Sequence, residues 1–307
     1  MSNKQEQSLP SGANQDSSAP QQKGVWWGLF PTTVDLLAIL GIFFVSQLIS
    51  LALTYGFGYG FDRTALSSTD EALRTAAENQ AGVFSMISYS FTMAFTIVGT
   101  LVLRRVRKCT ASIAKFSILG FNPSVLLWGM MLLLSIAVVF DPLMSYLPAV
   151  PKMYGRGWEM LLTLIVIAPI AEEFLCRGII LESVRAKSGV WAACSISAIF
   201  FAVLHMHLTA AVNALVIGLV LSYLYIRTGS LFAPILLHAF NNALAYILMW
   251  LGFENITLWK VVNNKVVYFS IYAVAVFVLL VSSVKIARQL TRIRKAQKVI
   301  STEGIKL

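Results

Sequence analysis

From residue 34 onward the chain alternates long apolar runs with short polar connections. Eight runs approach the ~20 residues a helix needs to cross a bilayer: 34–57, 83–103, 122–140, 160–180, 190–206, 209–226, 231–251 and 266–286. The fifth, sixth and seventh are short or tightly joined. The pattern predicts an all-α fold, a polytopic membrane helical bundle of about eight transmembrane helices. Four stretches follow from it. Residues 1–30 form a polar tail expected to be disordered, and 31–155 hold the N-terminal transmembrane helices. Residues 156–252 hold the helices with chemistry in them, and 253–307 the last helix and a basic cytoplasmic tail.

Composition agrees with lipid as the solvent. Hydrophobic residues make up 57% and charged residues 12%, against about 25% charged in a soluble domain. The net charge of +10 could signal nucleic acid, but the cations lie between apolar runs and in Lys285–Lys298. That placement, with no binding motif, excludes nucleic acid as a partner and points to membrane lipids. With the N-terminus inside, most of the 24 Lys and Arg fall on the inner side, as the positive-inside rule requires. Both termini are then cytoplasmic. Loop 58–82, with Asp62, Asp70, Glu71 and Glu78, lies outside. The tail 1–24 has no apolar core of a cleaved signal, so the first helix is expected to act as a signal-anchor. A multi-pass protein of the bacterial inner membrane is the default location. Cys109, Cys176 and Cys194 match no metal or disulfide spacing and read as structural thiols. No internal repeat of the kind common in transporters is visible.

Three sets of polar side chains interrupt the later runs. The fourth contains Pro169, Glu172, Glu173 and Arg177. A charge at mid-membrane costs ~2.5–3.5 kcal/mol on insertion scales. Glu173 and Arg177, four apart, share a face and can pair; Glu172 is rotated ~100° away and has no such partner. Pro169 removes a backbone hydrogen bond just before the pair and can open the helix there. The alternative is that both carboxylates merely solvate a helix end. The fifth run ends in His205 and His207, two of the three histidines. Either could be a hydrogen-bonded structural residue, and His207 fits the following turn. In the seventh, His238 and Asn242 share a face; alone, such a pair could simply glue helices together. Together, a carboxylate, two imidazoles and an amide on three neighbouring helices are what activating a water and stabilising an oxyanion require.

The order Glu-Glu-x-x-x-Arg (Glu172, Glu173, Arg177), Phe-x-x-x-His (Phe201, His205) and His-x-x-x-Asn (His238, Asn242) resembles the CAAX prenyl endopeptidases and bacteriocin-processing enzymes, the CPBP or Abi family. The stretch Tyr225–Leu231 is also similar. The likeness covers about 160–245, with no departure at the matched positions and nothing matched before 155. It implies an intramembrane endopeptidase acting on a membrane-associated or lipidated protein or peptide. Carried over, Glu172 is the general base, His205 helps hold the attacking water, and His238 and Asn242 stabilise the oxyanion. Glu173 and Arg177 support them. Members have been described both as metalloproteases and as glutamate-dependent enzymes. Glu172, His205 and His238 could supply three Zn2+ ligands. No His-Glu-x-x-His pair exists, however, and pairing with Arg177 would take Glu173 out of use as the separate base, so the metal-free reading is preferred.

Two other classes compete. One is a catalytically silent scaffold or regulator of the same fold; the other is a proton-coupled transporter, where intramembrane Glu and His also occur. Depth raises a further difficulty. If the fourth helix ends near Ile180, Glu172 lies ~12 Å from the inner boundary and His238 ~10 Å, whereas His205 lies ~22 Å away. Catalysis requires Glu172, His205, His238 and Asn242 to converge within one cavity, and His205 beyond hydrogen-bond or single-water reach of Glu172 would count heavily against it.

Overall fold

The computed structural model describes residues 30–114, 116–117, 122–149, 157–253 and 256–302, with side chains through Arg292. The expected N-terminal tail falls almost wholly outside the described residues. Eight long helices occur among those described: α1 (Thr33–Gly56), α2 (Glu71–Val106), α3 (Pro123–Met144), α4 (158–188), α5 (190–204), α6 (Leu208–Thr228), α7 (Phe232–Trp250) and α8 (Lys265–Thr302). There is no strand among them. Six are each long and apolar enough to cross a membrane: α1, α2, α3, α6, α7 and α8, the last over Lys265–Arg292. The protein is a polytopic helical bundle.

Local chemistry sets the helix ends. Thr32 and Asp35 form a reciprocal capping box at α1, satisfying two donors that a helix start leaves free. Asn122 caps α3 through Ser124 N at 2.9 Å, with Pro123 in the first turn. Gly229, at φ +69°, ends α6. The second helix starts twelve residues before the expected Val83. Apolar character begins at Val83, but helical character begins at Asp70, whose carboxylate accepts from Ala72 N and Leu73 N. Alanines and the Arg74–Glu78 pair at 3.8 Å carry the polar turns. Half of the expected outer loop 58–82 is therefore helix.

The fourth helix departs most from expectation. It continues past Ile180 to residue 188 and contains two π-helical stretches, Thr163–Ile167 and Phe174–Leu181. Pro169 explains the first: it has no N–H to offer the carbonyl four residues back, so the ladder widens before it. The chain reverses at Gly189, whose φ +81° and ψ −179° belong to a region essentially reserved for glycine. α5 then runs back along α4.

Packing divides into two apolar clusters. One joins Ile39 and Phe43 of α1, Met93 of α2, Leu175 and Ile179 of α4, and Phe200 and Phe201 of α5. The other joins Val125 and Leu133 of α3, Ile217 and Leu221 of α6, Leu237 of α7, and Ile286 and Leu290 of α8. Small residues allow close approach. A Cβ on Gly129 would lie 2.5 Å from Leu237, and one on Gly218 3.2 Å from Ala198 and Phe201. Outward-facing Val34, Leu48, Val98 and Phe277 are more than half exposed; a bilayer is the solvent that suits them.

Arg177 ties α4 to α6. Its side chain is fully buried. It donates to Gly218 O at 2.8 Å and to Ser222 Oγ at 3.4 Å, while its guanidinium lies 4.7 Å from the Phe201 ring centroid.

Four outcomes are expected from unfolding of the purified protein in mild detergent. Gly189→Ala destabilises by about 1–3 kcal/mol, although nothing lies within 4 Å of the added carbon; the cost is purely conformational. Gly41→Ala, equally uncrowded but inside α1, is neutral or stabilising by up to ~1 kcal/mol. Arg177→Leu costs about 3–5 kcal/mol because it strands the buried Glu173 charge. Arg177→Leu combined with Glu173→Leu recovers much of that loss.

Candidate active site

Four ionisable side chains from the motifs meet at the seam between the two clusters. Glu172, Glu173 and Arg177 come from α4 and His238 from α7. All four are buried, Glu173 and Arg177 completely. Arg177 Nη1 donates to Glu173 Oε1 at 2.7 Å. The same oxygen lies 3.0 Å from His238 Nδ1. A carboxylate can only accept, so Nδ1 carries the proton and Nε2 is turned the other way. Nε2 sits 3.6 Å from Glu172 Oε2. His238 thus spans the two adjacent glutamates, one at each ring nitrogen. Glu173 Oε2 is buried and has no hydrogen-bond partner among the described residues.

Neighbours in sequence both meet one histidine because its two ring nitrogens point to opposite sides of the imidazole. In a regular helix Glu172 and Glu173 diverge by ~100°. Here they sit on six residues of α-helix, Ala168–Glu173, between two wider π stretches, and π turns recur at functional sites. The carbonyls loosened by the second stretch find other donors. Gly178 O accepts from Ala114 N at 3.0 Å, and Ile179 O from the Ser183 hydroxyl at 2.6 Å. Arg104, an inner-side cation by sequence, is also buried here; it bonds Ser183, and Ala111 O at 2.7 Å.

His205 and Asn242 stand one step outside the contact cluster. His205 Nδ1 lies 2.9 Å from Phe201 O, so it carries the proton and Nε2 is left as an acceptor. Phe201 packs edge-on against both histidine rings, 4.9 Å from His205 and 5.2 Å from His238. Among the described hydrogen bonds and ion pairs, none joins His205 to Glu172. Asn242 Nδ2 donates to Leu164 O at 3.0 Å, supplying a carbonyl of the first π stretch. Its other amide proton remains for a ligand. His207 lies in the turn before α6.

The depth mismatch shrinks to about one helical turn, for a physical reason. It assumed that α4 ends near Ile180; α4 ends at 188 instead, so Glu172 is as far from the Gly189 reversal as His205 is. The bond from Ser197 Oγ to Cys176 O at 2.9 Å sets the α4–α5 register. By that register Phe201 comes level with Glu172, and His205 lies one turn beyond, ~6 Å at 1.5 Å per residue.

The contemplated Zn2+ set does not gather. Among the described residues no group of three or more His, Cys, Asp or Glu side chains could hold a metal ion. In both His238 and His205, Nδ1 is bonded within the protein and Nε2 is the nitrogen turned away from that bond.

Sequence reasoning missed Tyr89. Its hydroxyl, from α2, donates to Glu172 Oε1. Tyr89 lies in a run of apolar and hydroxyl residues with no motif. The one signal in the sequence was a phenol in mid-membrane, where a buried O–H needs a partner.

Residues 155–244 match the profile of the type II CAAX prenyl endopeptidase Rce1-like family, the region holding all three motifs. The chain is 28% identical over 222 residues to "Putative membrane peptidase YdiL" of Bacillus subtilis, covering 66% of this chain and 83% of that protein. It is 35% identical over 83 residues to "Uncharacterized 24.3 kDa protein" of Escherichia coli, which is 25% of this chain and 38% of that protein. No solved structure matches significantly. Glu172, Glu173, Arg177 and His238, packed into one buried cluster, all lie inside this stretch, residues 155–244, that is similar to the Rce1-like family.

Proposed function

We propose that this protein is an intramembrane endopeptidase that hydrolyses a peptide bond in a membrane-associated or lipidated protein or peptide, with a water activated by Glu172. The observation that carries this reading is His238 held between two glutamates, Nδ1 on Glu173 and Nε2 facing Glu172. The Arg177–Glu173 pair is electrically neutral. An unbalanced buried charge is expensive, so Glu172 and His238 hold one proton between them. With that proton on His238, the carboxylate is free to act as base and the imidazolium as electrophile. Glu172 takes a proton from water, whose oxygen bonds to the substrate carbonyl carbon. His238 Nε2–H and the second amide proton of Asn242 donate to the resulting oxyanion. As the C–N bond breaks, Glu172 returns the proton to the leaving amine. His205, accepting at Nε2 one turn away, steadies the water. The chain's similarity to proteins described as a CAAX prenyl endopeptidase family and a membrane peptidase supports this chemistry.

In the proposed topology both termini are cytoplasmic, and the Gly189 reversal, Arg185, Lys187 and Arg227 lie on the inner side. Substrate then lies in or at the cell membrane. The silent-scaffold reading draws on one observation: His205 and Asn242 are bonded to backbone carbonyls.

Purified protein in nanodiscs, offered a mixed library of plain and lipidated peptides, decides between them. Wild type is expected to cleave, and Glu172→Gln to lose at least ~10²-fold in rate. Chelator treatment is expected to leave the rate unchanged. Cleavage that persists in Glu172→Gln, or that chelator abolishes and Zn2+ restores, contradicts the mechanism. No cleavage of any peptide by wild type favours the scaffold. Asn242→Ala is expected to lower kcat by about 10²–10³-fold with KM little changed, as loss of an oxyanion donor does.

A further inference from the structure

We infer that Tyr89 is a positioning residue for Glu172, holding one carboxylate oxygen so that the other faces His238; this rests on the catalytic role proposed for Glu172. Glu172 has two described polar contacts. Oε1 accepts from the Tyr89 hydroxyl, and Oε2 faces His238 Nε2 at 3.6 Å. Its neighbour Glu173, by contrast, is locked by Arg177 within its own helix. A glutamate has three rotatable side-chain bonds. At 3.6 Å the histidine contact is too long to fix them, so the phenol is the one close hydrogen bond described on this carboxylate.

The surroundings of Tyr89 reinforce the point. Along α2 the hydroxyls of Ser90, Thr92, Thr96 and Thr100 each bond the carbonyl four residues back in their own helix. Among the described hydrogen bonds of residues 83–100, Tyr89 alone reaches another helix. It reaches from outside the family-matched stretch 155–244 to the centre of that stretch. The Rce1-like domain therefore borrows a group from the N-terminal half of the chain. A phenol is well suited to this role, because its ring packs in an apolar environment and its O–H gives a strong charge-assisted bond to a carboxylate. Tyr89 touches no reacting atom; it acts through Glu172.

The test is Tyr89→Phe, which keeps the ring and removes the donor. Tyr55→Phe is the control, a half-exposed ring against Phe84. Two readouts are taken on full-length protein in nanodiscs. In peptide cleavage, Tyr89→Phe is expected to lower kcat roughly ten- to hundred-fold, the worth of a hydrogen bond to a charged group, with KM and thermal midpoint close to wild type. In the Glu172→Gln background it is expected to add no further loss. The second readout needs no substrate: a hydrophobic carbodiimide labels Glu172, quantified by peptide mass spectrometry. With Oε1 uncapped, Tyr89→Phe is expected to label several-fold faster than wild type and Tyr55→Phe at the wild-type rate. If wild type cleaves nothing, the proposed activity fails while the labelling still decides the positioning role. Unchanged kcat together with unchanged labelling overturns the inference. So does a Tyr89→Phe protein whose kcat, KM and thermal midpoint all deteriorate together, which would assign Tyr89 to packing.

Discussion

The buried pair Glu173–Arg177 is the constraint around which the second half of the protein is arranged. Two full charges with no exposure are tolerable only if every strong donor finds an acceptor. Arg177 achieves this by reaching Gly218 O and Ser222 on α6 and by lying over Phe201 on α5. Satisfying one guanidinium thereby draws three helices together. The absence of a side chain at Gly218 lets α6 come close enough for its carbonyl to be reached. The same carboxylate oxygen that receives Arg177 also receives His238 Nδ1, so α7 is drawn to the same point. Such a pair is weak evidence of stability in itself. Its consequence is geometric: it fixes which nitrogen of His238 carries a proton and which way the other points.

Backbone irregularity surrounds the same site. A straight α-helix would turn Glu172 and Glu173 to different neighbours. One imidazole meets both here, because its two ring nitrogens point to opposite sides, and two π-helical stretches with Pro169 flank the pair. The carbonyls this leaves without regular partners are met from elsewhere: Leu164 by Asn242, Gly178 by Ala114, Ile179 by Ser183. Within a bilayer, irregular backbone persists only where the surrounding protein satisfies it. Asn242 therefore has a structural duty beside its proposed catalytic one, and both duties use the same side-chain nitrogen.

The first half of the chain contributes more than a lipid-facing wall. α1 and α2 complete the apolar cluster behind α4 and α5. α2 brings Tyr89 to Glu172 and Arg104 to the end of the π segment. At the end of the bundle where α1 begins, Asp35 pairs with Arg107 at 2.9 Å, and Lys187 reaches Pro31 O at 2.8 Å. These links hold the first pair of helices against the α4–α5 hairpin. The matched domain is thus embedded in a larger bundle.

The sequence by itself determined the class of the protein. Apolar runs of bilayer length leave no other way to satisfy the backbone than helices; eight helices were legible, and six of those described are long and apolar enough to cross a membrane. So were Glu173 with Arg177, four apart on one face, and the placement of His205, His238 and Asn242 on neighbouring helices. What it could not determine was anything that depends on departure from regular geometry. The extension of α2 to Glu71 was hidden by its polarity, because hydropathy marks lipid contact and not helix. The run of α4 to residue 188 and its reversal at Gly189 rest on a glycine torsion that no periodicity reveals, and the expected depth of Glu172 was in error on that account. His238 spanning two adjacent glutamates depends on where α7 packs against α4, and Tyr89 on which face of α2 meets α4. The tertiary structure decided these because they are long-range pairings, fixed by where buried polar groups find partners rather than by the pattern along the chain.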